Sequence, residues 1–413
     1  MQARFSIALA ALALTLPVSP QTIQKIVETG DPVSGMGNVT VISGPTVNNG
    51  GDVVVSVVTD NANPSLNTAL LDANGAPLFV EGQALSQPSG ATISGFAGGV
   101  FTPSSSGPWV YLIGMSGTSG TSDDEGYYFG TNPDLAIQES SVSLAPQFPA
   151  GSKYVSMLTP FINDSQKISF HTTIDDPNIA GTFNTRALMI VDLVGGTHQA
   201  LVKQGDVLPG QSFALTTFNW DAHGMAFNNA GQVLWGGEIA SASATNQVLY
   251  LGLTEVAQKG DPSPFGSTYT NVSTSTLGCD LNNLGEYVFL CTLGSSSRAI
   301  NRNGEAFVQQ GDVLPDIEPY ALSEFGQGIF IADDGRVFWT GLWNRPDGAQ
   351  VTGLFVDYSL LIEEGVTEIG GQVVADLAGL DRHIAMSRSG QYVVFVATLQ
   401  NGVKGAYLID LWQ

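Results

Sequence analysis

The sequence has 413 residues, and its 49 glycines and 20 prolines make turn-forming residues frequent. Only 12% of the residues are charged, and 37 Asp and Glu against 14 Lys and Arg give a net charge of −23. Fourteen cations are too few to line a groove along a phosphate backbone, so we expect no nucleic-acid partner and no anionic membrane surface as a partner. Hydrophobic residues reach 43%, which distinguishes the chain from a disordered acidic one.

The N-terminus has the pattern of a secretory signal peptide. Arg4 precedes an apolar run from Phe5 to Leu16, which is shorter than the ~20 apolar residues of a membrane span. We expect residues 1–21 to be removed, with the cut placed only loosely near residues 17–21; a buried helix is the alternative. The mature protein is then expected to be secreted or periplasmic, with no membrane span, and a monomer.

Two patterns recur along the rest of the chain, which indicates tandem structural units. The first is an apolar strand that ends in Gly-Asp, with its clearest copies at Gly30-Asp31, Gly205-Asp206, Gly260-Asp261 and Gly311-Asp312. The second is an Asn-x-x-Gly-like turn before an alternating strand. Its glycine position falls at 51, 107, 166, 231, 285, 335 and 390, with Gln166 replacing the glycine in the third copy. The chain therefore contains seven units.

Each unit reads as about four short antiparallel strands, and this number and period favour a seven-bladed β-propeller over a β-solenoid. The predicted single domain covers residues 22–413. The blades are expected at 32–83, 84–139, 140–204, 205–258, 259–310, 311–364 and 365–412 plus 22–31. The last unit lacks its fourth strand, and Thr22–Glu28 matches the missing one. We therefore expect the N-terminal strand to join the last blade and close the ring.

The Asn-x-x-Gly-x-Val-x-Phe-like turns, with Gly-Asp between copies, resemble the NxxGxxAF-type tandem repeats of secreted and surface-anchored bacterial proteins. The resemblance covers essentially the whole mature chain, although the Ala of that pattern is usually Val or Leu here. It implies a propeller-like exported protein and no particular activity.

The repeated Asp residues suit turns, because Asp accepts backbone N–H groups beside a glycine that supplies positive φ. The alternative is that Asp31, Asp206, Asp261 and Asp312 form a cation-binding ring. The Gly-Asp turns should share one face with the variable loops between second and third strands. Oxygen-rich clusters suit Ca²⁺, and the densest acidic groups in these loops are candidate metal ligands, although a solvated loop is the simpler interpretation. They are Asp123, Asp124, Glu125, Asp175 and Asp176.

Catalysis needs a positioned base or nucleophile, and the chain has only four histidines. His223 and His383 precede their turn glycines by similar distances and should approach the central channel. With Asp221, Arg382 and Trp220 they form a candidate site for a polysaccharide lyase or hydrolase. The simpler interpretation is that each residue packs at the entrance of a strand.

Two cysteines, Cys279 and Cys291, flank a predicted hairpin turn. Simple register places Cys279 opposite a residue near 288, so a disulfide is compatible with export but is not implied by the spacing.

Three functions remain open at this stage. The leading hypothesis is a non-catalytic secreted propeller that binds a carbohydrate, a protein or a cation on its loop face. The others are an exported carbohydrate-active enzyme and a structural envelope or matrix protein.

Overall fold

The computed structural model describes residues 22–130, 134–177, 185–219, 224–273, 277–294, 296–377 and 383–412. It contains seven small antiparallel sheets that are arranged as the blades of a β-propeller, which confirms the predicted fold class. Two short 3₁₀ helices, Pro64–Leu66 and Pro315–Ile317, interrupt connecting loops. The described residues include no helix long and apolar enough to cross a membrane.

The strands are numbered in chain order, beginning with β1 (Ile23–Glu28). Blade 1 contains β2 (Pro32–Val33), β3 (Gly37–Val47), β4 (Val53–Thr59), β5 (Thr68–Leu71) and β6 (Pro77–Val80). Blade 2 contains β7 (Thr92–Pro103), β8 (Trp109–Ser116), β9 (Glu125–Phe129) and β10 (Asp134–Gln138). Blade 3 contains β11 (Lys153–Met157), β12 (Phe161–Ile162), β13 (Lys167–Asp175), β14 (Thr185–Asp192) and β15 (Thr197–Lys203).

The remaining blades follow the same plan. Blade 4 contains β16 (Leu215–Phe218), β17 (Met225–Phe227), β18 (Val233–Ile239), β19 (Gln247–Leu251) and β20 (Thr254–Gln258). Blade 5 contains β21 (Tyr269–Asn271), β22 (Cys279–Leu281), β23 (Tyr287–Leu293), β24 (Arg298–Arg302) and β25 (Glu305–Gln309). Blade 6 contains β26 (Leu322–Ile331), β27 (Val337–Asn344), β28 (Gln350–Val356) and β29 (Ser359–Glu363). Blade 7 contains β30 (Glu368–Ile369), β31 (Gln372–Leu377), β32 (Ile384–Met386), β33 (Tyr392–Leu399) and β34 (Lys404–Asp410).

The two ends of the described chain meet in the sheet of blade 7. Strand β1 lies antiparallel to β34, with Ile23 opposite Ile409 and Glu28 opposite Gly405. The sheet order is β1-β34-β33-β31, so the N-terminal strand is the outermost strand of the blade. Every other sheet also falls within the residue range predicted for its blade.

The innermost strand of every blade is interrupted at the same level. In blades 3, 4, 5 and 7 it is split into two strands that pair with opposite ends of the same second strand. In blades 1, 2 and 6 it is continuous but slips its register, between Ser43 and Thr46 in blade 1 and between Phe325 and Ile329 in blade 6. Seven inner strands therefore change direction around the central channel.

The core lies between blades. Alternate residues of each strand face the two neighbouring sheets, so both faces of a blade are apolar, which explains the low content of charged residues. Trp235 and Trp339 are fully buried, and Trp339 stacks on Phe355 with ring centroids 4.5 Å apart. Both indole N–H groups donate to backbone carbonyls, those of Gly252 and Asp357.

The connections divide the molecule into two faces. We call the face with the Gly-Asp turns and the loops between second and third strands the loop face, and the opposite one, with the Asn-x-x-Gly turns, the turn face. Hydrogen bonds join the two elements of the loop face: Gln138 Nε2 donates to the Asp123 carbonyl at 2.7 Å, and Gln258 Nε2 donates to the Thr245 carbonyl at 2.6 Å. The predicted sharing of one face is therefore observed.

One turn lacks the glycine but keeps the backbone conformation of the others. Gln166 stands at the glycine position of blade 3 and adopts φ 56°, in the left-handed region that side chains other than glycine rarely occupy. Gly231, the equivalent residue of blade 4, has φ 79° and nothing within 4 Å of the place that a Cβ would occupy. Both residues therefore hold a left-handed backbone conformation, which strains Gln166 but not Gly231.

We predict opposite effects for exchanging these two residues. Gln166→Gly should raise the free energy of unfolding by about 1 kcal/mol, and Gly231→Gln should lower it by about 1–2 kcal/mol, because only glycine avoids the left-handed penalty. Denaturant unfolding of the two variants and the wild type measures this. Equal effects of the same sign would show that φ does not decide stability here.

Candidate functional site

The Asn-x-x-Gly turns surround the channel on the turn face, and their asparagines are buried. Asn228 is 1% exposed and Asn282 is 0% exposed. Asn282 Oδ1 accepts the N–H groups of Leu284 and Glu286 at 3.1 and 2.8 Å, and this holds the turn in shape. Its amide nitrogen donates to the Ala332 carbonyl of the next blade at 2.8 Å. One side chain therefore shapes its own turn and ties it to the neighbouring blade.

The backbone of the next one or two residues of each turn continues this link around the whole ring. A backbone N–H of one blade donates to the next blade at all seven junctions, over 2.7–2.9 Å. The pairs are Asn49 to Ser105 O, Ser106 to Asp164, Asp164 to Asn229, Asn229 to Asn283, Asn283 to Asp333, Asp333 to Arg388 O and Ser389 to Asn49. We call this set the amide ring.

Two contacts cross the channel at this level. The amide nitrogen of Asn283 lies 3.0 Å from Ser105 Oγ, and that of Asn229 lies 3.4 Å from the same hydroxyl. Because Ser105 belongs to blade 2 and the asparagines to blades 4 and 5, these side chains meet across the axis. Behind them lies a cavity of about 140 Å³, with lining residues from all seven blades.

A buried ion pair, Arg388 with Asp280, links blades 7 and 5 at the cavity. The guanidinium donates to both carboxylate oxygens, with Nη1–Oδ2 2.5 Å and Nη2–Oδ1 2.8 Å, and the Asp280 side chain is only 6% exposed. Oδ2 also accepts the Ile331 N–H at 2.9 Å. Burial alone would lower the pKa of Arg388, but the charge of Asp280 outweighs it and raises this pKa. The guanidinium and the carboxylate are therefore engaged with each other.

Of the predicted catalytic residues, only His383 lies within the described part of the chain. It is half-buried just before β32, and its carbonyl accepts the Val396 N–H at 2.8 Å. Two residues of β32, Ala385 and Met386, line the cavity, so the histidine lies at the entrance of a channel-lining strand, as expected. His223, Asp221, Arg382 and Trp220 lie outside the described residues, and the proposed catalytic group remains a prediction.

The other two histidines take structural positions. His171 is 3% exposed and packs against Phe218, and burial lowers its pKa to about 3, so it is neutral at ordinary pH. His198 Nδ1 lies 2.8 Å from the Tyr154 hydroxyl, and burial lowers its pKa. Both belong to blade packing.

The Gly-Asp carboxylates cap their own turns. Oδ2 of Asp31, Asp206 and Asp312 accepts the N–H of the residue three positions earlier, at 2.7–2.9 Å. Lys25 pairs with Asp31 at 3.1 Å, and Lys203 pairs with Asp206 at 3.6 Å. This is the turn role predicted from the sequence.

The acidic loops do not assemble a metal site in the described chain. Asp123 accepts the N–H groups of Ser119 and Gly120 together with the Ser119 hydroxyl, and these hydrogen bonds lower its pKa. Asp175 is exposed at the end of β13. Among the described residues, no group of three or more His, Cys, Asp or Glu side chains is placed to hold an ion, so the expected Ca²⁺ site gains no support from the geometry.

Sequence reasoning missed Glu139, which lies against the acidic loop of blade 2. Burial and the neighbouring carboxylates Glu125, Asp124 and Asp123 raise its pKa to about 7. Burial and Asp124 also raise the pKa of Glu125. In the repeat, Glu139 stands one residue before Ser140, which takes the glycine position of its turn. That position beside an acidic loop was the sequence feature from which its environment could have been inferred.

Both cysteines are free and buried. Cys279 of β22 lies opposite Phe289 of β23, close to the predicted register. Cys291 belongs to β23 and lies opposite Ala299 of β24. Burial raises the pKa of Cys291 to about 12 and that of Cys279 further, so both thiols stay protonated and unreactive.

We predict that the Asp280–Arg388 pair is a structural link. Asp280→Asn should lower the free energy of unfolding by about 3–5 kcal/mol, because it leaves a buried guanidinium without its counter-charge. The double variant Asp280→Asn with Arg388→Gln should lose less than the sum of the single variants, by about 0.5–3 kcal/mol. Denaturant unfolding of the four proteins checks this, and additive losses would contradict a direct link.

Comparisons with solved structures find distant propellers. An oligogalacturonate lyase from Vibrio parahaemolyticus is 10% identical, with 94% of this chain and 96% of that chain aligned and a TM-score of 0.48. An oligogalacturonate lyase in complex with manganese is 12% identical over 95% and 99% of the chains, with a TM-score of 0.43. The Trypanosoma rangeli sialidase is 12% identical over 81% and 59% of the chains, with a TM-score of 0.34. Such distant similarity carries nothing about activity.

No curated protein matches the sequence. One family model does, and it spans residues 13–303, more than half of the chain. The chain therefore belongs to the family described as "Family of unknown function (DUF7453)".

Proposed function

We propose that this chain is an exported β-propeller that binds an extracellular ligand on its loop face without transforming it. Export rests on the signal-like pattern of residues 1–21, and the binding role rests on the unequal loops of the loop face. These loops are the single observation that carries the proposal.

The loops between second and third strands are long on four consecutive blades and short on the others. They span 60–67, 117–124, 176–184 and 240–246 on blades 1–4, and 294–297, 345–349 and 400–403 on blades 5–7. The strands that carry them differ little between blades. Variable loops on a rigid scaffold are where ligand contacts concentrate. The longer connections therefore lie on neighbouring blades of the loop face.

On the turn face, the polar side chains are already engaged within the protein. Its asparagines are used within their own turns and in the amide ring, and the charged groups at the cavity are engaged with each other. A cavity of about 140 Å³ is also smaller than the ~300–1,000 Å³ of most small-molecule sites. These features support a structural role for that face and leave the loop face for the ligand.

The chemistry of the long loops favours a carbohydrate among the three ligand classes. Asn63, Thr121 and Ser243 are exposed at the loop tips and supply the neutral hydroxyl and amide groups that pair with sugar hydroxyls. The net charge of −23 opposes an anionic polymer. We therefore propose a neutral polysaccharide as the ligand.

The proposal predicts that bulk on the long loops weakens glycan binding. The variant Thr121→Lys with Ser243→Lys should bind about tenfold more weakly, the effect of losing roughly 1.4 kcal/mol of contact. Leu284→Lys is the matched control, because Leu284 is 73% exposed on the turn face and should not affect binding. A glycan array identifies the ligand, and titration calorimetry with that glycan measures the variants.

Three results would overturn the proposal. The array could show no binding, the control could weaken binding as much as the loop variant, or the wild type could cleave the bound polysaccharide. Cleavage would move the site to the channel and support the enzyme alternative.

A further inference from the structure

An aromatic side chain is exposed on the loop face of blade 4. Phe213 lies in segment 204–214, which joins β15 to β16, and is 47% exposed. The other exposed Phe, Tyr and Trp side chains of the described residues, Tyr358 and Trp412, belong to the turn face. A single exposed apolar side chain is common on protein surfaces and needs no explanation by itself. Phe213 differs in how firmly its segment is held and in what lies beside it.

Side chains of blade 4 fasten the segment that carries Phe213. Gln211 Nε2 donates to Glu255 Oε2 at 2.6 Å, and Glu255 belongs to β20. The Tyr250 hydroxyl, from β19, donates to the Pro209 carbonyl at 3.0 Å. The exposed ring is therefore presented by a backbone that is fixed to the blade, so a ligand that binds there does not have to order a loose loop.

The same segment lies against the long loop of blade 4. The Ala240 N–H, at the start of that loop, donates to the Ala214 carbonyl at 2.9 Å, so Phe213 stands at the base of the loop. Near the other end of the loop, the Thr245 carbonyl accepts Gln258 Nε2 at 2.6 Å. The loop and the segment that carries the aromatic ring are therefore both attached to the same blade by hydrogen bonds.

The exposed residues around Phe213 are mostly small and polar. Ser212 is exposed beside it in the chain, and Ser243 is exposed at the tip of the long loop. Within the segment and the loop, both of which the structure describes throughout, Val207 is the only other exposed large apolar side chain. This apolar patch is far smaller than the core of a protein–protein interface, whereas it suits a single ring of a polysaccharide.

A pyranose ring has faces of C–H groups and a rim of hydroxyls. An aromatic side chain packs on the C–H face, and neutral hydroxyl side chains pair with the rim. We propose that Phe213 is the stacking platform for one ring of the bound polysaccharide, with hydroxyl groups of the long loop of blade 4 pairing with the rim of that ring. This inference rests on the proposed glycan binding and adds its place on the loop face, which is blade 4.

Titration calorimetry with four neutral hexasaccharides tests the platform, with cellohexaose, laminarihexaose, maltohexaose and mannohexaose as the probes. Phe213→Ala should weaken binding of the probe that the wild type binds by about tenfold, because the buried area of the aromatic side chain is lost. Phe213→Leu should recover little of this loss, since it restores apolar surface without a flat ring. Phe213→Trp should bind at least as tightly as the wild type, because a larger ring stacks in the same place.

A turn-face variant is the control. Trp412→Ala removes an exposed aromatic side chain far from blade 4 and should leave the affinity unchanged. Denaturant unfolding of each variant confirms that the fold is kept.

The outcomes separate the platform from the proposed function. If the wild type binds a hexasaccharide and Phe213→Ala or Phe213→Leu binds it equally tightly, the platform is wrong and glycan binding stands. A loss of affinity in Trp412→Ala as large as that in Phe213→Ala would also overturn the platform. If the wild type binds none of the probes and nothing on a glycan array, the proposed function fails, and the platform fails with it.

Discussion

The structure depends on the hydrogen bonds that hold seven separate sheets at the same distance from the central axis. Apolar packing between blades is strong but has little direction, so it does not fix the number of blades. Hydrogen bonds do, and the amide ring supplies them at every junction. Asn282 adds a second link at the junction of blades 5 and 6, since its side-chain oxygen shapes one turn while its side-chain nitrogen donates to the next blade.

Closure of this ring couples residues that are far apart in the sequence. Ser389 donates to Asn49 at the junction of the last and first blades, and β1 completes the sheet of blade 7. Long-range links of this kind carry a large entropic cost of closing the chain. The junction hydrogen bonds and the apolar packing between blades together offset that cost.

Much of this could be predicted from the sequence, because repetition amplifies weak local signals. The Asn-x-x-Gly and Gly-Asp turns specified the blades, and simple hairpin register placed Cys279 within one residue of its partner, Phe289. The Asp280–Arg388 pair could not be predicted, because its residues are 108 positions apart and carry no local pattern. Glu139 was missed for a related reason, since its environment comes from a loop folded back in space.

The two faces divide structure from proposed function. On the turn face, polar side chains are engaged with each other, and their uniformity reflects the geometry that all blades must share. On the loop face, the loops differ in length without disturbing the strands below them. The acidic character of the chain gathers partly here, in blade 2, where burial and the carboxylates Glu125, Asp124 and Asp123 raise the pKa of Glu139 to about 7. The blades therefore differ most in the loops of the loop face, which take no part in the amide ring.

The most direct test of this account is the stability of Asn282→Asp, compared with the wild type by denaturant unfolding at neutral pH. The substitution keeps the acceptor that shapes the turn but removes the donor to the Ala332 carbonyl and buries a charge beside it. The account predicts a loss of about 2–4 kcal/mol in one cooperative transition, because the Asn282 link reinforces one junction of a ring that all seven blades share. A loss below about 0.5 kcal/mol, typical of a surface substitution, would contradict it.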